Sequence, residues 1–298
     1  MISPPPLKKG DKIALVAPAR KIAFEEVAYA VEFINNKGFE AVFHDSLFAQ
    51  YHQFAGNDRH RTTALQQYLD DQTIRVILFV RGGYGSVRVI DELDFKAFVK
   101  NPKWLAGYSD MTVFLNHVNT LYHIETIHGP MPFGFQDNTP GAVQSLFAAL
   151  LGKAEPVKWP WHPLSRPGMA TGELMGGNLS VLYSLLGSNS FPETEGKILF
   201  LEDLDEYLYH IDRMMMALKR AGKLSQLSGM VVGGLTEMRD NLVPFGKTAE
   251  EIVSEMVELY DYPVAFGCPA GHLADNQTLI MGREVRLNVG TGGNVLDQ

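Results

Sequence analysis

Four short segments of this 298-residue chain bring together residue types that can do covalent or anion-binding chemistry. Gly107-Tyr108-Ser109-Asp110-Met111-Thr112 lies between an apolar run and a helical pattern. A serine at a strand-to-helix turn lifts its hydroxyl off the carboxyl edge of a sheet, and the next N–H can meet an oxyanion. Met111 breaks the full Gly-x-Ser-x-Gly signature, so Ser109 or Asp110 acting only as a helix cap is the competing reading. Arg81-Gly82-Gly83-Tyr84-Gly85-Ser86 follows a buried strand; its glycines allow a sharp turn whose N–H groups can hold an anion. From Gly83 the pattern runs Gly-x-Gly-x-x-Arg, so the third glycine of a dinucleotide fingerprint is missing. No Gly-Lys-Ser/Thr occurs there either, and a plain tight turn remains open.

Glu202-Asp203-Leu204-Asp205-Glu206 closes a strand with four acids. Asp203 and Glu206 have capping-box spacing, and Asp205 suits the first turn of a helix. Glu202 is left over at the carboxyl end of the strand, where it can orient a histidine or stand as a solvated loop acid. Gly267-Cys268-Pro269-Ala270-Gly271-His272, with Asn276 beyond it, sets His272 in a glycine-containing loop. Of nine histidines it is the best placed to be a base. His60 and His210 sit in polar helical runs, His117 and His123 read as ordinary partly buried side chains, and His128 before Gly129-Pro130 is placed to line a cleft. No H-E-x-x-H or paired Cys/His spacing occurs, so neither a metal site nor a cofactor is expected.

These groups need a scaffold. Lys12–Ala17, Ala41–Phe43, Val76–Val80 and Trp104–Gly107 read as strands, alternating with helical patterns over 24–37, 59–70 and 112–122. That alternation predicts a parallel sheet covered by helices. Residues 151–167 hold four prolines and two tryptophans and read as a linker between a first lobe, 1–150, and a second, 168–298. In the second, strands at 197–201, 229–232 and 264–266 alternate with helices from about 204 to 220 and 248 to 259. Residues 278–288 read as a hairpin turning at Gly282-Arg283.

Composition sets limits. Hydrophobic residues make up 46% and charged residues 20%, an ordinary globular balance. A net charge of −8 argues against a nucleic-acid partner. The single cysteine, Cys268, sits among small apolar neighbours, reads as a buried inert thiol, and fits a reducing compartment. The N-terminus lacks the apolar stretch of a signal peptide, and nothing approaches a membrane span. A cytoplasmic protein without a membrane partner is expected.

Taken in order, the segments LKKGDKIALVAPA (7–19), RGGYGSVR (81–88), GYSDMT (107–112), HGPM (128–131), GELMGGNLSVL (172–182), LEDLDEYLYHIDR (201–213) and the Gly-His pair before Asn276 resemble the LD-carboxypeptidase family. These are serine peptidases that also include the microcin-immunity type. The resemblance implies an N-terminal flavodoxin-like or glutamine-amidotransferase-like α/β lobe joined to a C-terminal lobe of mainly β character with helices. It implies Ser109 as nucleophile, His272 as base and Glu202 as orienting carboxylate, with the backbone N–H groups of Gly83 and Asp110 holding the oxyanion. Gly177 and Asn178 would form part of the substrate wall, and Arg81 and Asn178 would contact a terminal carboxylate. A murein peptide is the implied substrate and a homodimer the implied assembly. The immunity branch, with Trp159 and Trp161 as candidate stacking groups, is one rival. A non-catalytic small-ligand-binding protein is the other.

Overall fold

A computed structural model describes residues 1–298. The first half runs β1 (Lys12–Val16), α1 (Ala28–Asn36), β2 (Glu40–Val42), α2 (Asp58–Asp70), β3 (Ile74–Phe79), α3 (Lys96–Lys100), β4 (Trp104–Gly107), α4 (Thr112–Tyr122), β5 (Thr126–His128) and α5 (Pro140–Leu150). The second half runs β6 (Val157–Trp159), β7 (Gly168–Asn178), α6 (Leu179–Ser184), β8 (Ile198–Leu204), α7 (Leu208–Arg220), β9 (Gly229–Thr236), α8 (Ala249–Met256), β10 (Val264–Phe266), β11 (Leu279–Met281), β12 (Glu284–Gly290) and β13 (Gly293–Asp297).

The first five strands form a parallel sheet in the order β2-β1-β3-β4-β5, the flavodoxin-like winding. Its central strands carry near-continuous apolar runs, IALV in β1, VILF in β3 and WLAG in β4, because helices cover both faces. In β1, Ile13 and Leu15 face the core that includes Ile34 of α1 and Phe147 of α5. Ala14 and Val16 face the opposite core, with Leu65 of α2 and Phe114 of α4. That second core continues into the other sheet, through Phe200, Leu201, Met214 and Val231. The two sheets therefore share apolar packing. α4 lies between them, and every residue from Thr112 to Asn119 is buried, as expected of a helix packed on all sides.

The second sheet has seven strands, β10-β9-β8-β7-β12-β13-β6. β7 to β10 are parallel, while β7, β12, β13 and β6 are antiparallel. Three expectations need correction. Residues 151–167 are not simply a linker, because β6 within them is the edge strand of this sheet, paired with β13. Residues 278–288 form no hairpin. β11 adds antiparallel to β5 in the first sheet, whereas β12 pairs with β7 and β13. The chain changes sheets at Gly282, whose φ is +86°; its N–H bonds to Leu174 O at 2.7 Å, and Leu174 N–H bonds to Arg283 O at 2.9 Å. Nor does Asp203 cap the helix that follows it. β8 runs on to Leu204, Asp205 takes a φ of +64°, and α7 begins only at Leu208.

Candidate active site

Ser109 lies one residue beyond β4, after Tyr108, and has a φ of +64°. A non-glycine residue rarely adopts the left-handed region, and such strain persists only where the surroundings enforce it. Here the chain must leave the buried strand and enter a 3-10 turn over Ser109–Met111 before α4. Neither Ser109 nor Asp110 caps α4. The Asp110 carboxylate instead accepts from Ser86 N–H at 2.9 Å, tying the serine turn to the glycine loop. Gly82 of that loop passes so close that a Cβ there would lie 3.1 Å from Ser109 Oγ.

Glu202 reaches the same place from the second sheet. A register shift between Leu201 and Asp203 marks a bulge in the β8–β9 ladder, and bulges re-aim side chains. Glu202 is fully buried. His272 arrives on the loop after β10. That loop is stitched to β9 by Cys268 N–H to Val232 O at 3.0 Å and by Gly234 N–H to Ala270 O at 3.0 Å. Gly271 has a φ of +111°, and a Cβ on it would sit 2.7 Å from the Glu202 side chain, so only glycine lets the loop come this close.

The outcome is a continuous chain of three side chains. His272 Nδ1 lies 2.7 Å from Glu202 Oε2, and His272 Nε2 lies 3.2 Å from Ser109 Oγ. The carboxylate assigns the tautomer: Nδ1–H donates to Glu202, and Nε2 is left to accept from the serine. The electrostatics suit that arrangement. Burial pushes the Glu202 carboxyl up, but the His272 imidazole beside it brings it below the usual carboxylate range. For His272 burial favours the neutral ring, but Glu202 outweighs it, and the pKa lies above the ordinary histidine value. Asp203, next along the strand, is pushed up to about 7 by burial and by the neighbouring Glu202 charge.

Both halves of the chain match one family. The LD-carboxypeptidase N-terminal domain matches residues 13–129, and the C-terminal domain matches residues 171–287. A probable murein peptide carboxypeptidase of Bacillus subtilis is 32% identical, over 96% of this chain and 91% of its own. The chain belongs to the LD-carboxypeptidase family. The crystal structure of muramoyltetrapeptide carboxypeptidase from Oxalobacter formigenes superposes with a TM-score of 0.87 at 27% identity, covering 96% of this chain and 98% of that one. The microcin C7 self-immunity protein MccF of Escherichia coli is 25% identical over 95% of this chain and 91% of its own. Family members are named as carboxypeptidases, and this LD-carboxypeptidase is a hydrolase of that class.

The other candidate residues of this LD-carboxypeptidase are distributed unevenly. Gly83, with a φ of +105°, and Asp110 both lie on the turns around Ser109. Arg81 stacks on Phe133 at 4.1 Å and bonds to Glu26 at 3.1 Å, its guanidinium still part-exposed. Burial and the nearby Arg20 lower its pKa. Asn178 does not present a free amide to a cleft. Its Nδ2 donates to Asp203 at 2.9 Å, and its Oδ1 accepts from Ser180 Oγ at 2.9 Å and Val181 N–H at 3.2 Å, capping α6. Gly177 is likewise packed against Thr112, where a Cβ would meet Oγ1 at 2.5 Å. Trp159 is buried, its indole N–H on Phe266 O at 2.9 Å, and so cannot stack on a ligand. His128 does not line an open cleft; it is fully buried.

Several supporting residues have no local sequence signal. Arg61 sits in an ordinary polar helix pattern, yet it is buried and donates to Pro18 O at 2.5 Å and Gly85 O at 3.0 Å. With Asp110 on Ser86 N–H, the Gly85–Ser86 peptide is held at both its oxygen and its nitrogen. Asn116 of α4 forms a two-way clasp with Gly176, donating to its O at 2.9 Å and accepting from its N–H at 3.3 Å. Thr112 Oγ1 accepts from Asn178 N–H at 3.0 Å. The only hint in the sequence is that polar residues occur in a helix otherwise apolar on all sides.

Proposed function

We propose that this carboxypeptidase releases terminal D-alanine from a murein tetrapeptide through an acyl-enzyme on Ser109. The observation that carries the proposal is the Ser109–His272–Glu202 chain, built on a serine held at positive φ. A serine hydroxyl is a poor nucleophile at neutral pH, so His272 Nε2 takes its proton as Oγ attacks the scissile carbonyl. Glu202 holds the ring and stabilises the imidazolium. The N–H groups of Gly83 and Asp110 receive the oxyanion, each worth roughly 10²–10³ in kcat. The imidazolium then protonates the leaving amine of D-alanine. Water, activated by the same ring, attacks the ester and frees Ser109. Arg81, with Arg20 beside it, contacts the terminal carboxylate, and Gly177 and Asn178 shape the wall from behind.

The proposal places a homodimer in the cytoplasm, with lobes 1–150 and 168–298 meeting at the site. No helix is long and apolar enough to cross a membrane, and the single cysteine, Cys268, is buried. The relatives matched over nearly the whole chain include murein peptide carboxypeptidases by name.

The test is a parallel assay of the tetrapeptide, the pentapeptide longer by one D-alanine and the all-L tetrapeptide, with products identified by mass spectrometry. The tetrapeptide should be preferred strongly, because inverting one Cα or adding one residue moves the carboxylate off its partner. Misplacement of ~1 Å can cost on the order of 10²-fold. Comparable kcat/KM for all three would refute the proposal, and preference for an aminoacyl-nucleotide amide would favour the immunity branch.

A further inference from the structure

Close to the triad, four buried polar atoms lack a hydrogen-bond partner in the protein: Nδ1 and Nε2 of His128, Oε1 of Glu202 and Nδ2 of Asn276. All three residues are completely buried, with 0% exposure. An orphaned buried polar group is costly, and more so when charged, so such a set is not expected to stay unpaired. His128 and Asn276 both lie near this carboxylate, and the His128 and Glu202 charges act on each other. His128 ends β5, and its ring stands edge-on to Phe200 at 4.9 Å, two residues before Glu202 in β8. Tyr108 packs against both imidazoles, 5.8 Å from His128 and 4.8 Å from His272. Asn276 Oδ1 accepts from Gly271 N–H at 2.9 Å, and Gly271 is the residue pressed against the Glu202 side chain. His272 takes one oxygen of Glu202; the other has no hydrogen-bond partner of normal geometry in the protein, although the Asn178 amide also lies close enough to favour the charged carboxylate.

We propose that His128 is a positioning residue for Glu202, donating through one buried water to Oε1, with Asn276 Nδ2 as that water's second protein partner. The inference rests on the triad reading above and adds a fourth member behind it. A buried water needs two to four polar partners, and the three residues supply them. Outer donors of this kind fix the orientation of the group that does the chemistry and set its basicity. The charged and titratable groups facing the pair are Glu202 and Asp203 of β8, His272 after β10, Glu237 after β9, and Tyr108 after β4. His128 itself is lowered to about 4, chiefly by burial, with His272 adding to the shift and Glu202 opposing it. It therefore stays neutral where the enzyme works and donates without titrating.

Removing the donor should raise the proton affinity of the Glu202–His272 couple, because an unsupported carboxylate binds a proton, directly or on its histidine, more tightly. His128→Phe should lower kcat about tenfold, leave KM nearly unchanged, and move the acidic limb of kcat/KM up by about one pH unit. His128→Gln, which restores a neutral N–H donor, should bring the limb back towards the wild-type position. A purely structural histidine would alter stability without moving the limb. As a check that needs no folded variant, ¹⁵N-histidine spectra of the wild-type protein should show one protonated and one bare nitrogen on His128 from pH 5 to 8. An imidazolium in that range overturns the inference. An unmoved limb in His128→Phe, with Ser109→Ala inactive, removes this proposal alone; turnover surviving in Ser109→Ala removes the triad and this proposal together.

Discussion

Ser109 pays for its position with backbone strain, since at a φ of +64° a Cβ costs roughly 1–2 kcal/mol that glycine avoids. Ser109→Ala should abolish turnover with the fold intact, whereas Ser109→Gly should be equally inactive yet more stable than Ser109→Ala by about 1 kcal/mol. Thermal unfolding of the two variants decides this, and a less stable glycine variant would show the strain to be absent. The pH response follows from His272. Its pKa is raised above the ordinary value of about 6.5, and the base must be neutral to act. Activity should therefore be lost as pH falls through a value above 6.5, on the acid side only. A profile of kcat/KM flat from pH 5 to 8 would contradict the role of His272. Glu202→Gln, which keeps the shape but removes the charge, should cut kcat by orders of magnitude and draw the limb downward.

The glycine loop after β3 is shaped by two buried side chains from outside it. Arg61 grips the Gly85 carbonyl and Asp110 grips the Ser86 N–H, fixing one peptide unit at both ends. If Gly83 N–H receives the oxyanion, Arg61→Met should lower kcat about 10–100-fold with a smaller effect on KM. Steady-state kinetics on the tetrapeptide would show it, and an unchanged kcat would separate the loop from catalysis. Much of this architecture is legible in the sequence. Buried runs such as VILFV and WLAG give β3 and β4; the segments carrying Ser109 and His272 stand out because a reactive side chain follows a strand close to glycine, and the one carrying Glu202 because four acids close a strand. What stays illegible is whatever depends on distant pairing. Asp203 and Glu206 have the spacing of a cap, but β8, bulged before Asp203, runs on through Asp203 to Leu204 and turns Asp203 inward to Asn178 and Ser180. Glycine and arginine at 282–283 resemble a hairpin turn, although the chain there crosses from one sheet to the other. Arg61 and Asn116 give no local sign, because their partners lie 24 and 60 residues away in sequence.

At the scale of the whole molecule, Ser109, the proposed nucleophile, stands on one sheet while His272 and Glu202, the proposed base and carboxylate, stand on the other, so the registration of the two sheets sets the 3.2 Å approach of His272 to Ser109. α4 carries that registration through Asn116 on Gly176 and Thr112 on Asn178. Asn116→Ala leaves the Gly176 N–H and carbonyl unpaired, and should cost about 1–3 kcal/mol of stability for each orphaned group. It should also lower kcat, because displacement of ~1 Å between the halves of a site can cost about 10²-fold. Chemical denaturation alongside kinetics checks both; full activity in a destabilised Asn116→Ala variant would mean that apolar packing alone registers the sheets. In the proposed mechanism these two sheets meet to make one activated serine. The most direct measurement is covalent labelling with a serine-directed fluorophosphonate probe, with the adduct located by peptide mass spectrometry. A single adduct on Ser109 is expected, slowed by murein tetrapeptide and strongly reduced in His272→Ala. Labelling at another residue, or equal labelling of Ser109 with and without His272, would contradict it.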